Sequence, residues 1–147
     1  MGTSKKLTLA DFLTSVPEEY RDFVTKTGEA MTKGGSHKQK IEMKTSGLVA
    51  SYRHPENNRV HLQFNFNNNR LSMNLHPIFF AEYDGRLDGL PYCITAKIDA
   101  FGNCRECRTD CYQCKFSING IHFHKCKYGY IGVEVNEESM GLLSVFQ

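Results

Sequence analysis

The clearest guide to the fold is VHLQFNFNNNRLSMNLH, residues 60–76, in which polar and apolar residues alternate on both sides of three asparagines. Alternation with a period of two is typical of a β-strand with one buried face, and asparagine tolerates the backbone conformations of a tight turn. The apolar residues of the two strands fall on one face: Val60, Leu62, Phe64, Phe66, Leu71, Met73 and Leu75. The stretch therefore predicts a β-hairpin whose apolar face needs a cover.

The opposite face of this hairpin is polar. Its residues are His61, Gln63, Asn65, Ser72, Asn74 and His76. We interpret this face as the solvated side of the sheet. Phe64 and Phe66 would also suit base stacking on an open sheet, but no basic cluster surrounds them, so we predict that they belong to the core.

The sequence upstream extends the sheet and supplies its cover. Two alternating segments flank the turn signal at Ser46-Gly47, so residues 38–76 predict four antiparallel strands. Apolar residues at helical spacing predict two helices within residues 8–33, which KGGS then ends. Together these patterns predict an α+β fold in which N-terminal helices pack on an antiparallel sheet.

Local signals also predict how the two helices begin. Thr8 precedes the first apolar residues and is a suitable N-cap, while Ser15 and Glu18 stand in the register of a capping box for the second helix. Pro17 fits the first turn of that second helix.

The sequence downstream is less regular. PIFFAEYDGRLDGLP, residues 77–91, predicts a short or broken helix, and YCITAKIDAF is ambiguous between strand and helix. Asn119-Gly120 between alternating segments is a strong hairpin signal, and we expect a strand over 128–135 and a short helix around 138–146. We treat the chain, residues 1–147, as one domain whose C-terminal part, 92–147, is organised by a metal.

Composition excludes several functions. The 147 residues are 40% hydrophobic with a formal net charge of +2, which is too mild to indicate a nucleic-acid or membrane partner. The N-terminus has no apolar run typical of a secretory signal, and no stretch is long enough to span a bilayer. We therefore expect a cytoplasmic protein, in which thiols stay reduced.

The strongest chemical signal is CRECRTDCYQCK, residues 104–115, which holds four of the six cysteines. Thiolates in pairs of this kind bind tetrahedral metal ions, and zinc is the usual one. Three residues between the two pairs leave little room to wrap one ion, so we expect Cys93 and Cys126 to act as distal ligands. Arginines and lysines around the cysteines would neutralise the thiolates. Which loop cysteines contribute stays open at this point.

The C-x3-C of Cys107 and Cys111, together with KTSGLVASY and FSINGIHFHKCKYGYIGVEVNEES, resembles a family of small uncharacterised bacterial proteins. That family has a first cysteine, then C-x3-C, then a K-C-R/K-Y segment. The resemblance implies four metal ligands, namely Cys93, Cys107, Cys111 and Cys126. It implies no activity.

Histidines on the predicted hairpin provide an alternative ligand. His122 and His124 share a strand face with Cys126, and we interpret both as surface residues, with His124 as a reserve ligand. An iron-sulfur cluster and a set of disulfides are the other readings of the cysteines.

The function follows only coarsely. We expect a structural zinc site in a binding or adaptor module that presents the basic cysteine loop or the polar sheet face to a protein or nucleic acid. The alternative is a redox sensor or small enzyme that uses Cys104 and Cys114. No common catalytic motif occurs, and we interpret the acidic cluster of Glu82, Asp84 and Asp88 as helix capping or solvation.

Overall fold

The computed structural model describes residues 6–101, 113–126 and 129–146. The helices are α1 (Leu9–Ser15), α2 (Glu18–Thr32), α3 (Pro77–Glu82) and α4 (Tyr92–Phe101), with 3-10 turns at Lys33–Gly35 and Ser139–Phe146. The strands are β1 (Lys38–Lys44), β2 (Gly47–Arg53), β3 (Val60–Asn67), β4 (Arg70–Leu75), β5 (Gln113–Ile118), β6 (Ile121–Cys126) and β7 (Ile131–Glu134).

The main sheet has five antiparallel strands in the order β1-β2-β3-β4-β7. The predicted four-stranded meander and the α+β class are therefore confirmed. The strands β5 and β6 form a separate two-stranded sheet around the turn at Asn119 and Gly120, as the sequence predicted. The strand that follows them, β7, pairs with β4 and so returns the chain to the main sheet.

The helix starts were predicted half correctly. Thr8 caps α1 in a complete capping box with Asp11. The predicted capping box of Ser15 and Glu18 is wrong, because Ser15 is the last residue of α1 and Pro17 is the N-cap of α2 without a side-chain cap. Proline presets its own φ close to the helical value, so it can begin the helix without such a bond.

The apolar face of the sheet forms the core together with α1 and α2. Phe64 is fully buried and makes edge contacts with Phe23 of α2 at 5.8 Å and with Tyr52 of β2 at 6.4 Å between ring centroids. Aromatic rings prefer this edge-to-face arrangement. Phe64 is thus a core residue, as predicted, and is not available for stacking on bases.

Packing between α2 and the sheet depends on one glycine. A Cβ atom at Gly28 would lie 2.6 Å from the Tyr52 hydroxyl oxygen. That hydroxyl accepts a hydrogen bond from the Gln39 side chain at 2.9 Å. The absence of a side chain at Gly28 therefore lets α2 lie directly on the buried tyrosine.

The prediction that the polar sheet face is solvated is wrong at His61. His61 is only 1% exposed, and its neighbours on that face are partly buried. The alternation of the sequence identifies two faces but does not show that chain segments distant in sequence cover the second one.

The β5–β6 hairpin is attached to the segment after α3. The Asp84 carboxylate accepts the Ser117 N–H at 3.0 Å, and the Asp88 carboxylate accepts the Asn119 N–H at 2.7 Å. Phe116 contacts Phe80 and stacks on Phe123, with ring centroids 5.3 and 5.5 Å apart. Two carboxylates and a small aromatic cluster thus hold the hairpin in place.

No helix within the described ranges has the length and apolar character required to cross a bilayer.

Candidate metal centre

Three ionisable side chains from distant parts of the sequence meet beside the polar face of the sheet. His37 Nε2 lies 2.8 Å from His61 Nδ1 and 3.2 Å from Glu82 Oε2, and His61 Nδ1 lies 3.0 Å from Glu82 Oε1. Both histidines are buried, whereas the Glu82 side chain is about one third exposed (34%). We call these three residues the histidine cluster.

The end of α2 positions His37. Gly34 and Gly35 have φ angles of 64° and 76°, values that favour glycine, and they reverse the chain after the helix. The Met31 carbonyl then accepts hydrogen bonds from Ser36 Oγ at 2.7 Å and from His37 Nδ1 at 2.9 Å. This second bond assigns the hydrogen of neutral His37 to Nδ1 and leaves the Nε2 lone pair facing the cluster.

A β-bulge positions His61. Tyr52 pairs with Leu62 and Arg53 pairs with Val60, so His61 is the extra residue between these two pairs. Bulges of this kind re-aim a side chain and are common beside functional sites. Leu62 packs in the core, whereas His61 is buried by its contacts with His37 and Glu82.

The C-terminal end of α3 supplies Glu82. Burial raises the pKa of Glu82, but hydrogen bonds from His37 and His61 lower it more strongly, to about 2. Burial lowers the pKa of His37, but the Glu82 carboxylate and the Met31 carbonyl outweigh this effect and raise it above its ordinary value. Glu82 is therefore ionised at neutral pH when the two histidines donate hydrogen bonds to it.

Protons alone cannot satisfy the histidine cluster while Glu82 is ionised. A single hydrogen on His61 Nδ1 serves His37 and Glu82, but the contact between His37 Nε2 and Glu82 Oε2 then joins two acceptors. With a hydrogen on His37 Nε2 as well, two N–H groups face each other at 2.8 Å. Each of the three residues contacts the other two and acts as either a donor or an acceptor. Every such arrangement therefore leaves one contact between two donors or between two acceptors. A cation bound by all three lone pairs removes this conflict.

A cleft with a volume of about 480 Å³ opens beside the cluster. Its wall includes His37, Glu82 and Tyr83 together with His54, Pro55 and Glu56 from the loop between β2 and β3. Because His37 and Glu82 line this cleft, an ion held by the cluster would be accessible from it.

The predicted cysteine ligands are described only in part. Cys104, Cys107 and Cys111 lie outside the described residues, and so does the predicted convergence of these loop cysteines. Cys114 is buried in β5, and the backbone of Cys126 pairs with Gln113 at the open end of the hairpin. His122 and His124 are exposed on β6, which fits their interpretation as surface residues.

Cys93 has a different neighbour from the one predicted by the zinc hypothesis. It lies in the first turn of α4, where its N–H donates to the Glu138 carboxylate at 2.7 Å. Burial raises the pKa of the Cys93 thiol, and a hydrogen bond from the thiol to the Glu138 carboxylate, together with the charge of that carboxylate, raises it further, to about 11. About 12 Å of helix separates Cys93 from the end of α4, where the cysteine-rich segment begins.

The acidic cluster predicted around α3 does not act as one unit. Asp84 and Asp88 accept backbone hydrogens of the hairpin, whereas Glu82 belongs to the histidine cluster. The interpretation of all three as helix capping or solvation is therefore wrong for Glu82. Its signal in the sequence was its position at the end of a short helix, which is too common to identify a site.

Comparisons with known proteins find no relatives. No protein-family model matches the chain, and neither does any curated protein sequence or solved structure.

Proposed function

We propose that the protein binds one divalent transition-metal ion between His37, His61 and Glu82 and uses it to bind and polarise a small ligand in the cleft. Two histidines and one carboxylate are the ligand set of many catalytic zinc sites and of mononuclear non-haem iron(II) sites. The single observation that carries this proposal is the convergence of His37 Nε2, His61 Nδ1 and the two Glu82 carboxylate oxygens, in three contacts that protons alone cannot satisfy while Glu82 is ionised.

The spacing of the donor atoms supports the same conclusion, with Glu82 contacting His37 through Oε2 and His61 through Oε1. Ligands bound at 2.0–2.1 Å lie about 2.9 Å apart in octahedral sites and about 3.3 Å apart in tetrahedral ones. The observed separations of 2.8, 3.0 and 3.2 Å lie close to this range. The bond from His37 to the Met31 carbonyl is also typical of histidine ligands, which usually donate their second N–H to a carbonyl or carboxylate.

Three protein ligands leave coordination positions for a water molecule or a substrate. A metal ion in such a site polarises a bound oxygen atom and lowers the pKa of bound water. The open cleft on the Glu82 side gives a small polar molecule access to these positions. We infer a metal-dependent activity on a small substrate, in preference to a purely structural site.

Cobalt(II) binding tests this proposal. The full chain is stripped with a chelator and titrated with cobalt(II), whose visible bands report nitrogen and oxygen ligands and whose near-ultraviolet charge-transfer bands report thiolates. We expect about one equivalent to bind with nitrogen and oxygen ligands. The isosteric E82Q variant should bind cobalt at that site more than about 100-fold more weakly. This loss is larger than the one expected from removing a residue that only hydrogen-bonds to a metal ligand.

Two further variants complete the experiment. H61A should abolish the same signal, and H122A, which removes an exposed histidine of the hairpin, should leave it unchanged. Circular dichroism identifies any variant that fails to fold. Unchanged cobalt affinity in a folded E82Q protein would contradict the proposal.

The cysteine-rich segment remains a separate proposal. We keep a structural zinc ion bound by Cys93, Cys107, Cys111 and Cys126, with His124 as reserve ligand and an iron-sulfur cluster as the alternative. The adjacent backbone positions of Gln113 and Cys126 support it, since they bring Cys126 beside the end of the cysteine-rich segment. Cys93 is the most demanding ligand, because its thiol would have to give up its hydrogen bond with Glu138.

A binding or adaptor role, a redox role for Cys104 and Cys114, and a cytoplasmic location belong to this second proposal. The metal site and the redox role both need thiols that are not joined in disulfides, and a cytoplasmic location would keep them reduced. A protein or nucleic-acid partner would then contact the basic cysteine loop or the polar sheet face.

A further inference from the structure

His54 lines the same cleft as two ligands of the proposed metal centre, His37 and Glu82. It follows β2 and begins the loop that returns the chain to β3. Its ring is half-buried and lies 5.9 Å from the ring of His61, measured between centroids. The nitrogen atoms of His54 are not among the atoms that converge on the metal position. His54 is therefore placed beside the site without being one of its ligands.

The loop determines which nitrogen of His54 carries hydrogen. Nδ1 accepts the backbone N–H of Glu56 at 3.1 Å and that of Asn57 at 3.3 Å. Because both partners are donors, Nδ1 presents its lone pair, and the hydrogen of the neutral ring is on Nε2. The distal atom of His54 is thus a hydrogen-bond donor.

The same loop is closed by further backbone bonds. The His54 N–H donates to the Arg59 carbonyl at 2.9 Å, and the Asn58 N–H donates to the His54 carbonyl at 3.0 Å. Asn58 adopts a φ angle of 60°, which asparagine tolerates in tight turns. The donor is therefore held in place before any ligand arrives, which is the arrangement that makes a hydrogen bond most effective in a site.

We propose that His54 donates a hydrogen bond from Nε2 to an anionic oxygen ligand of the metal, so that the cleft selects small carboxylates. This inference rests on the proposed metal centre. A divalent ion with one carboxylate ligand keeps a net charge of +1, which attracts an anion. Glu56 on the rim opposes a second negative charge, so a small monocarboxylate fits better than a dianion.

Two substitutions separate this role from a purely structural one. In H54N, the oxygen of the introduced amide can still accept the loop hydrogens in place of Nδ1, but no donor reaches into the cleft. In H54Q, the longer side-chain amide can replace the distal N–H, but the acceptor for the loop is lost. A ligand-binding role predicts that H54N is the damaging change, and a role in holding the loop predicts that H54Q is.

Acetate binding to the cobalt-loaded full chain provides the measurement. We expect H54N to bind cobalt as the wild type does but to bind acetate about tenfold more weakly, as judged by the shift of the visible bands, because a charge-assisted hydrogen bond is lost. H54Q should remain within about threefold of the wild type. Imidazole, a neutral ligand without an acceptor for His54, should bind equally to all three proteins.

The outcomes are distinguishable. Equal acetate affinities in the wild type and H54N, or a loss confined to H54Q, would overturn the role of His54 while leaving the metal centre intact. Failure of the wild-type protein to bind cobalt through nitrogen and oxygen ligands would overturn both proposals.

Discussion

The histidine cluster and the cysteine-rich segment differ in how their residues are brought together. Four cysteines lie within residues 104–114 and are conspicuous in the sequence. His37, His61 and Glu82 are separated by more than twenty residues each and come from a helix end, a β-bulge and the last turn of a short helix. Proximity in sequence made the first group visible, whereas proximity in space created the second.

The strongest effect is expected from variants that test whether the histidine cluster and the cysteine-rich segment bind metal independently. If the two groups form independent centres, H37A should abolish the nitrogen and oxygen cobalt bands and keep any thiolate bands. Replacement of Cys107 and Cys111 by serine should do the reverse. Cobalt titration of both variants checks this. Simultaneous loss of both signals in either variant would contradict independent centres.

Alkaline pH probes the core that supports the histidine cluster. Burial raises the pKa of Tyr52 from 10.0 to about 12, although the hydrogen bond from Gln39 lowers it. The unfolded chain therefore loses this proton first, so the stabilisation is complete below pH 10 and is lost as pH rises towards 12. We expect Tyr52 to account for a loss of roughly 2 to 3 kcal/mol by pH 12.

Urea unfolding between pH 9 and pH 12 measures this loss, with Y52F as the control, because phenylalanine cannot ionise. Y52F should lack most of the alkaline decline. An equal decline in both proteins would show that other groups cause it.

A smaller effect is expected from G28A. A methyl group there would meet the Tyr52 hydroxyl at 2.6 Å, and overpacking of this kind costs about 1 to 3 kcal/mol, offset by roughly 1 kcal/mol of helix propensity. We expect a net loss of about 1 kcal/mol and weaker cobalt binding, since Met31 in the next turn orients His37.

The double variant G28A/Y52F removes the atom that clashes. It should be at least as stable as Y52F alone, by up to about 1 kcal/mol of helix propensity, as measured by thermal unfolding. If the two substitutions were additive, the packing of Gly28 on Tyr52 would not be the cause.

The smallest effect concerns the hairpin alone. D84A or D88A removes an exposed hydrogen bond to the backbone of β5 or its turn and should cost about 0.5 kcal/mol, the low end for a hydrogen bond. Amide hydrogen exchange should increase in β5 and β6 but not in β3, and cobalt affinity should stay unchanged. D22A, which removes an exposed aspartate of α2, is the control. Faster exchange in β3 would show that the hairpin and the sheet open together.

Much of the fold could be predicted because its signals are local. The alternation in residues 60–76, the cap at Thr8 and the Asn-Gly turn each depend on neighbours within a few residues. The capping box at Ser15 was wrong because α1 extends through that residue. A serine at this position could either end the first helix or cap the second, and the sequence does not show which of the two it does.

The candidate site could be predicted only in fragments. His61 appeared as a member of a polar strand face and Glu82 as part of an acidic cluster, but His37 carried no signal at all. No periodicity reveals that a bulge opposite Tyr52 and Arg53 turns His61 toward the end of α2.

Local sequence patterns were sufficient to predict the α+β class, the antiparallel meander and the apolar face that the helices cover, because hydrophobic periodicity and turn chemistry act over short distances. The meeting of particular polar residues depends instead on how the whole chain packs. The convergence of His37, His61 and Glu82 depends on a bulge in strand pairing, on a glycine turn after α2 and on the direction of α3, and these are set by packing of the whole chain.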